Sequence, residues 1–191
     1  MQFERPPERT LDPDVDYWAV LRTSCGDMEV DLLEDTAPKA VNNFVFLARA
    51  GFYDGLVWHQ VSPDFIIQTG DPNGVNAALP DGPGYTIEDE LPKSRRAYVF
   101  GAMGFANAGT PDSSGSQFFI VVHDLPGALE GKPTPLKIER TYTIFGRVAR
   151  KYYGSVQEIA EQPTAGGTDP LEAVRPLLPV YVNSIEIVER A

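Results

Sequence analysis

The chain has 191 residues, 42% of them hydrophobic, which is the profile of one folded domain and not of a disordered or fibrous chain. Its formal net charge of −11 leaves no basic face for a phosphate backbone and excludes the nucleic-acid-binding class. The lone Cys25 rules out an intrachain disulfide and a cysteine-based metal site, and His59 and His123 are too few to build a zinc or iron centre, so no metal or cofactor is expected.

Residues 1–16 hold Pro6, Pro7 and Pro13 among charged residues and read as an extended, unpacked arm ahead of a domain spanning 17–191. They lack the apolar stretch of a secretory leader. No run in the chain approaches the roughly 18 apolar residues that cross a bilayer. The expectation is a cytoplasmic monomer with no membrane partner, a mature exported form being the other reading. Tyr17–Thr23 is strand-like, and Asp27–Leu32 alternates acidic and apolar residues, placing Met28, Val30 and Leu32 on one buried face. Ser24-Cys25-Gly26-Asp27 joins the two as a hairpin turn. The period then changes: Val41, Phe44, Val45 and Ala48 form a helical stripe, with Asp35 or Thr36 as cap, Pro38 in the first turn and Gly51 as stop.

Further strand candidates are Leu56–Val61, Phe65–Thr69, Tyr98–Met103, Gln117–Val122, Tyr142–Val148 and Val180–Val188, with a short helix near Ser155–Glu161. So many strands with 17 glycines and 17 prolines between them predict an antiparallel barrel or a sandwich with helices over its ends. Two long irregular stretches, Asp71–Pro83 and Pro126–Thr141, are of the kind that carries function or mobility.

The Gly-x-Ser-x-Gly elbow of a Ser-His-Asp hydrolase does not occur; Ser116, after Gly115, is the nearest imitation. His59, beside Trp58, reads as a hydrogen-bonded wall residue or a proton shuttle. The acidic run Glu88-Asp89-Glu90 reads as solvated or turn-stabilising in preference to cation-binding.

Two segments carry a resemblance. Residues 57–72, Val-Trp-His-Gln-Val-Ser-Pro-Asp-Phe-Ile-Ile-Gln-Thr-Gly-Asp-Pro, are similar to the cyclophilin pattern F-H-R-x-x-P-x-F-x-x-Q-G-G-D. Phe105-Ala106-Asn107-Ala108-Gly109 and Gly115-Ser116-Gln117-Phe118-Phe119-Ile120 resemble that family's M-A-N-A-G and G-S-Q-F-F-I. Ala37-Pro38, Asn43-Phe44, Glu88-Asp89-Glu90 and Tyr142–Val148 match in family order, so the likeness covers about residues 17–190 in a bacterial-type form. It implies a mainly β fold, a closed eight-stranded antiparallel barrel capped by two helices, and peptidyl-prolyl cis-trans isomerase activity in protein folding. The partners it implies are proline-containing peptides or proteins.

Position by position, the resemblance makes Phe65, Ile66 and Phe119 a socket for the proline ring, with Leu129 or Leu136 as outer wall. Phe119 then faces the groove while Phe118 packs inward. Gln68 and Gln117 become polar anchors, the Asn107 backbone pairs with the substrate main chain, and His59, Ala106 and Tyr142 are further substrate-binding residues. The family's catalytic arginine is replaced by Gln60, a neutral donor on a shorter stem. Reduced activity follows unless Arg95, Arg96, Arg140 or Arg147 reaches the groove. The run Ala128-Leu129-Glu130-Gly131-Lys132 lacks the tryptophan that many members place there, which implies weak cyclosporin binding. The other readings are a catalytically weak proline-peptide-binding or chaperone-like module and an unrelated β-barrel hydrolase or ligand carrier.

Overall fold

The computed structural model describes residues 1–74, 82–94, 97–123 and 141–190. It opens with the hairpin β1 (Asp16–Thr23) and β2 (Gly26–Leu32), in which Ala19 faces Val30 and Leu21 faces Met28. Gly26, at φ 94°, supplies the left-handed turn residue. Then come α1 (Pro38–Arg49), the two-residue β3 (Gln60–Val61), β4 (Ile66–Thr69), β5 (Ala102–Phe105), β6 (Phe118–Val121) and β7 (Ile144–Val148). A 3₁₀ turn leads into α2 (Tyr153–Ala160), and the one-turn α3 (Pro170–Ala173) precedes β8 (Val182–Arg190). All pairings are antiparallel, in the order β3-β4-β6-β5-β7-β2-β1-β8.

The sheet curls into a half-barrel that is open, not closed as expected. β3 and β8 are its two ends, and no ladder joins them. A single bridge, Val57 to Tyr181, spans the gap, flanked by Trp58 N–H to Val180 O and Val182 N–H to Leu56 O, each 2.8 Å. The reason is length: two residues of β3 cannot ladder along the nine of β8. The strand expected at Tyr98–Met103 begins only at Ala102, because the chain turns first through Ala97 N–H to Ser94 O and through Gly101 at φ 80°.

The barrel interior holds Leu21, Met28, Val30, Ile67, Met103, Phe105, Phe118, Ile120 and Phe145. The predicted stripe of α1, Val41, Phe44, Val45 and Ala48, is buried against it. The Phe44 ring lies 5.4, 5.6 and 5.2 Å from the rings of Tyr53, Phe118 and Phe145, spacings at which aromatic pairs attract beyond the area they bury. α2 adds Val156, Ile159 and Ala160. Among the described residues no helix is long and apolar enough to cross a membrane.

Two local expectations are corrected. α1 starts after Ala37 with no capping side chain from Asp35 or Thr36. Its open amides are served from 50 residues away, Lys39 N–H donating to Glu90 Oε1 (3.1 Å) and Ala40 N–H to Oε2 (2.8 Å). The rest of that acidic run is structural too: the Asp89 amide donates to Asp112 Oδ1 and the Asp112 amide to Asp89 Oδ2. The second correction is the arm. Residues 1–15 hold no helix or strand, yet Leu11 is buried and Phe3 meets Phe46 edge-on at 4.8 Å. Thr10 N–H donates to Asn42 Oδ1, and Asn42 Nδ2 donates to the carbonyl of Glu8. Scattered apolar residues and backbone bonds to one asparagine thus lay it along α1.

If Glu90 caps α1, Glu90→Ala should lower stability by about 1 kcal/mol, and Glu90→Gln, which keeps one acceptor, by less. Urea unfolding followed by circular dichroism measures both.

Candidate functional site

Antiparallel partners point to the same side of a sheet, so the register builds a row across strands. Gln60 on β3 stands opposite Gln68 on β4, Gln68 opposite Phe119 on β6, Phe119 opposite Gly104 on β5, and Gly104 opposite Ile144 on β7. This row lies on the face away from the interior, since the alternating neighbours Val61, Ile67, Phe118, Met103 and Phe145 are interior residues. Phe118 packs inward and Phe119 outward, as the motif implied. Around Phe119 a second apolar cluster gathers Ile66, Tyr98, Ala102, Ala106, Val121 and Ile144, with Phe65 and Tyr142 half-buried against it.

The polar members sit at one end of the row. Gln68 Nε2 donates to Gln117 Oε1 at 2.9 Å, so two buried amides satisfy each other on an apolar sheet. Gln117 is held by what fixes its loop: Asn43 Nδ2 of α1 donates to Gly115 O (2.9 Å), the Tyr53 hydroxyl to Ser116 O (3.2 Å), and Ser116 Oγ to Gly70 O (2.8 Å). Ser116 is therefore spent on a backbone carbonyl and is 1% exposed, no nucleophile. Gly70 cannot be replaced without collision, because a Cβ there would meet the carbonyl of Ser116 and the Cα of Gln117, and its φ is +90°.

Ala106 N–H donates to Gln117 O, and Nδ2 of the half-exposed Asn107 donates to Thr141 O at 2.7 Å. Tyr142 then lies with its ring 5.4 Å from Phe119 at 84°, edge to face. Burial raises the Tyr142 phenol above its ordinary pKa and keeps it neutral. Phe119 is thus almost covered, 3% exposed, while Phe65 is the more open ring.

Of the residues singled out in the sequence, Gln60, Phe65, Ile66, Gln68, Ala106, Asn107, Gln117, Phe119 and Tyr142 share this face. His59 does not. It lines a cavity of about 380 Å³ with Val57, Trp58, Gly74, Arg175 and Leu177, to which no residue of the row contributes. Nor is it hydrogen-bonded as expected: both ring nitrogens are buried and find no partner among the described residues. Burial drives its pKa from 6.5 to about 4, only partly offset by the Asp71 carboxylate. Leu129 and Leu136, and with them the choice of outer wall, lie outside the described residues, as do Arg95, Arg96 and Arg140. Arg147 is on β7, four strands from Gln60, a separation of roughly 19 Å at ordinary strand spacing. It cannot stand in for an arginine at position 60.

Sequence reasoning missed Tyr98 and Gly104. The Tyr98 hydroxyl meets the backbone of Tyr142, 44 residues away, a pairing no local pattern announces. Gly104 leaves room behind Phe119, its alternation with interior Met103 and Phe105 being the only available signal.

A family model described as cyclophilin type peptidyl-prolyl cis-trans isomerase/CLD matches residues 19–186. The chain belongs to the cyclophilin family. A putative peptidyl-prolyl cis-trans isomerase of Staphylococcus saprophyticus is 34% identical over 189 residues, covering 89% of this cyclophilin and 91% of that protein. The Arabidopsis thaliana isomerase CYP18-2 is 38% identical over 157 residues, covering 80% and 83%. Against the isomerase CWC27 of Cryptococcus neoformans, 33% identical, the match takes in 93% of this chain but only 33% of that longer protein. A crystal structure of a Cryptosporidium parvum cyclophilin, determined in the presence of the dipeptide Ala-Pro, superposes with a TM-score of 0.75 at 25% identity, over 91% of this chain and 99% of that one.

Two outcomes follow for this cyclophilin. A Cβ on Gly104 would lie 2.8 Å from both Phe119 Cζ and Ile144 Cδ1, so Gly104→Ala should displace the Phe119 ring and cost about 1–3 kcal/mol; NMR ring signals and urea unfolding report the two effects. His59 is neutral when folded at pH values where the unfolded chain takes up its proton. Stability should therefore fall as pH drops from 6.5 to about 4, by on the order of 3 kcal/mol, and level off below. In His59→Phe that part of the acid limb should vanish from unfolding curves measured across this range.

Proposed function

We propose that this cyclophilin is a peptidyl-prolyl cis-trans isomerase acting on X-Pro bonds of protein chains during folding, slowed by Gln60. Rotation about a peptide bond faces a barrier of about 18–20 kcal/mol because resonance must be lost at the half-twist. For X-Pro bonds the uncatalysed exchange takes tens to hundreds of seconds. No covalent bond breaks, so neither nucleophile nor metal is required. What is required is a socket for the ring, anchors on the flanking backbone, and a donor aimed at the nitrogen whose lone pair is freed by the twist. Only contacts stronger at the half-twist than in either planar isomer raise the rate.

The row from Gln60 through Gln68 to Phe119 carries this reading, because it sets a polar donor, a buried amide pair and an apolar ring side by side on one sheet face. In it Phe65, Ile66, Ala106 and Phe119 receive the proline ring. Gln68 and Gln117 hold substrate carbonyls, the Asn107 backbone pairs with the substrate main chain, and Tyr142 walls the rim. The Ala-Pro dipeptide present with the Cryptosporidium neighbour supports a proline ligand. Gln60 supplies the donor to the freed nitrogen, but as a neutral amide. Charge-assisted hydrogen bonds are about twice as strong as neutral ones. Loss of one well-placed donor in other enzymes costs on the order of 10²–10³ in rate.

The test is NMR exchange spectroscopy on an Ala-Pro-containing tetrapeptide. The chain should bind the peptide and accelerate exchange weakly, and Gln60→Arg should raise the catalysed rate at least tenfold, an order of magnitude being about 1.4 kcal/mol of barrier. Binding with no acceleration in either protein would reduce the chain to a proline-binding module. No binding at all would refute the site.

A further inference from the structure

The β5–β7 pairing ends where Phe105 N–H donates to Thr143 O at 3.0 Å. One residue earlier, Tyr142 has left the ladder, and its backbone groups have no strand to pair with. A single side chain takes both. The Tyr98 hydroxyl donates to Tyr142 O at 2.7 Å, and Tyr142 N–H donates back to the same oxygen at 3.3 Å. Tyr98 is 3% exposed, and its ring belongs to the cluster around Phe119. A phenol hydroxyl can be donor and acceptor at once, so one oxygen does the work of a missing strand partner.

The arrangement has a direct consequence for the face described above. Fixing both the N–H and the C=O of Tyr142 fixes the direction of its Cα–Cβ bond, and thereby the edge-to-face contact of its ring with Phe119 at 5.4 Å. Asn107 Nδ2 on Thr141 O and Thr143 Oγ1 on the amide of Glu90 tether the neighbours on either side. Neither touches Tyr142 itself. We infer that Tyr98 is a positioning residue: through the backbone of Tyr142 it holds that ring against Phe119, and so sets the width of the opening through which a proline ring reaches the socket. The inference rests on the proline-site reading of the row, and it assigns no contact between Tyr98 and substrate.

A double-mutant cycle on the 191-residue chain tests it, with isothermal titration of an Ala-Pro-containing tetrapeptide as readout. Tyr98→Phe keeps the ring and removes the oxygen; it should weaken binding about fivefold, the scale of one lost hydrogen bond. In a Tyr142→Ala background the same change should cost no more than about twofold, because the ring that Tyr98 positions is gone. Equal losses in both backgrounds would mean that Tyr98 only stabilises the sheet, and would overturn the inference. Aromatic NMR signals of Phe119 give a readout without ligand: they should shift in Tyr98→Phe, and an unchanged spectrum overturns the inference as well. If Tyr98→Phe does not fold, amide exchange in the unaltered chain decides, since Tyr142 N–H should be protected and rapid exchange would contradict the clamp. Failure of the unaltered chain to bind the peptide would refute the proline site itself, and the Phe119 spectrum would still judge the clamp.

Discussion

Everything in this molecule depends on three four-residue strands that are buried on both faces. β4, β5 and β6 expose almost nothing, yet they separate two apolar clusters, one inside the barrel and one outside it. The side-chain period of two assigns each residue to one of them, so a slip of one position in β6 would exchange Phe118 with Phe119. Hydrophobicity alone does not forbid that slip, because both residues are phenylalanine. The register is held instead by polar bonds at the ends of the strand: Ser116 to Gly70, Asn43 to Gly115, and the Gln68–Gln117 amide pair. Phe118 adds edge contacts with Phe44, Tyr53 and Trp58 that no outward residue could replace. The same bonds that make the fold unique therefore make the outer row.

What could be read from the sequence follows from how far each determinant reaches. Alternation in Asp27–Leu32 and the stripe Val41–Ala48 are local, and both faces came out as the periods predict. The ordered motifs placed Gln60, Gln68 and Phe119 on one surface, because strand pairing turns their spacing into adjacency. Determinants without a period were invisible. The cap of α1 comes from Glu90, and a local search for capping residues finds only Asp35 and Thr36. The arm looked unpacked because Phe3 and Leu11 are too sparse to form a pattern, although each finds an apolar seat. Closure failed for a reason of length: residues 55–58 meet 180–182 by backbone bonds at the gap, but only a bridge forms there.

The row itself, Gln60, Gln68, Phe119, Gly104 and Ile144, carries no charged side chain. Arg22 is engaged by Asp27 and Glu186, Arg190 and Lys151 by Glu29, Lys39 by Glu88, and Arg49 by Glu189. These exposed pairs contribute little stability one by one. They engage five of the chain's 16 basic residues. In a protein of net charge −11, a lone arginine at position 60 would have drawn on the field of the whole surface; a glutamine does not.

That neutrality separates two properties that an arginine couples. On the proposed reading, the aromatic and aliphatic walls around Phe119 would hold a proline ring about equally well whichever way the peptide plane is turned, so they would contribute binding and not rate. The Gln68–Gln117 hydrogen bond behind them is in place before any ligand arrives. On the same reading Gln60, the β3 member of the row, is the donor that would act on a nitrogen that becomes basic only at the half-twist. A neutral amide in place of a guanidinium would then weaken the one contact that differs between ground and transition states. Under the proposed function the substitution would act on kcat and spare KM, so that recognition of proline and speed of isomerisation would be set by different residues of one sheet face.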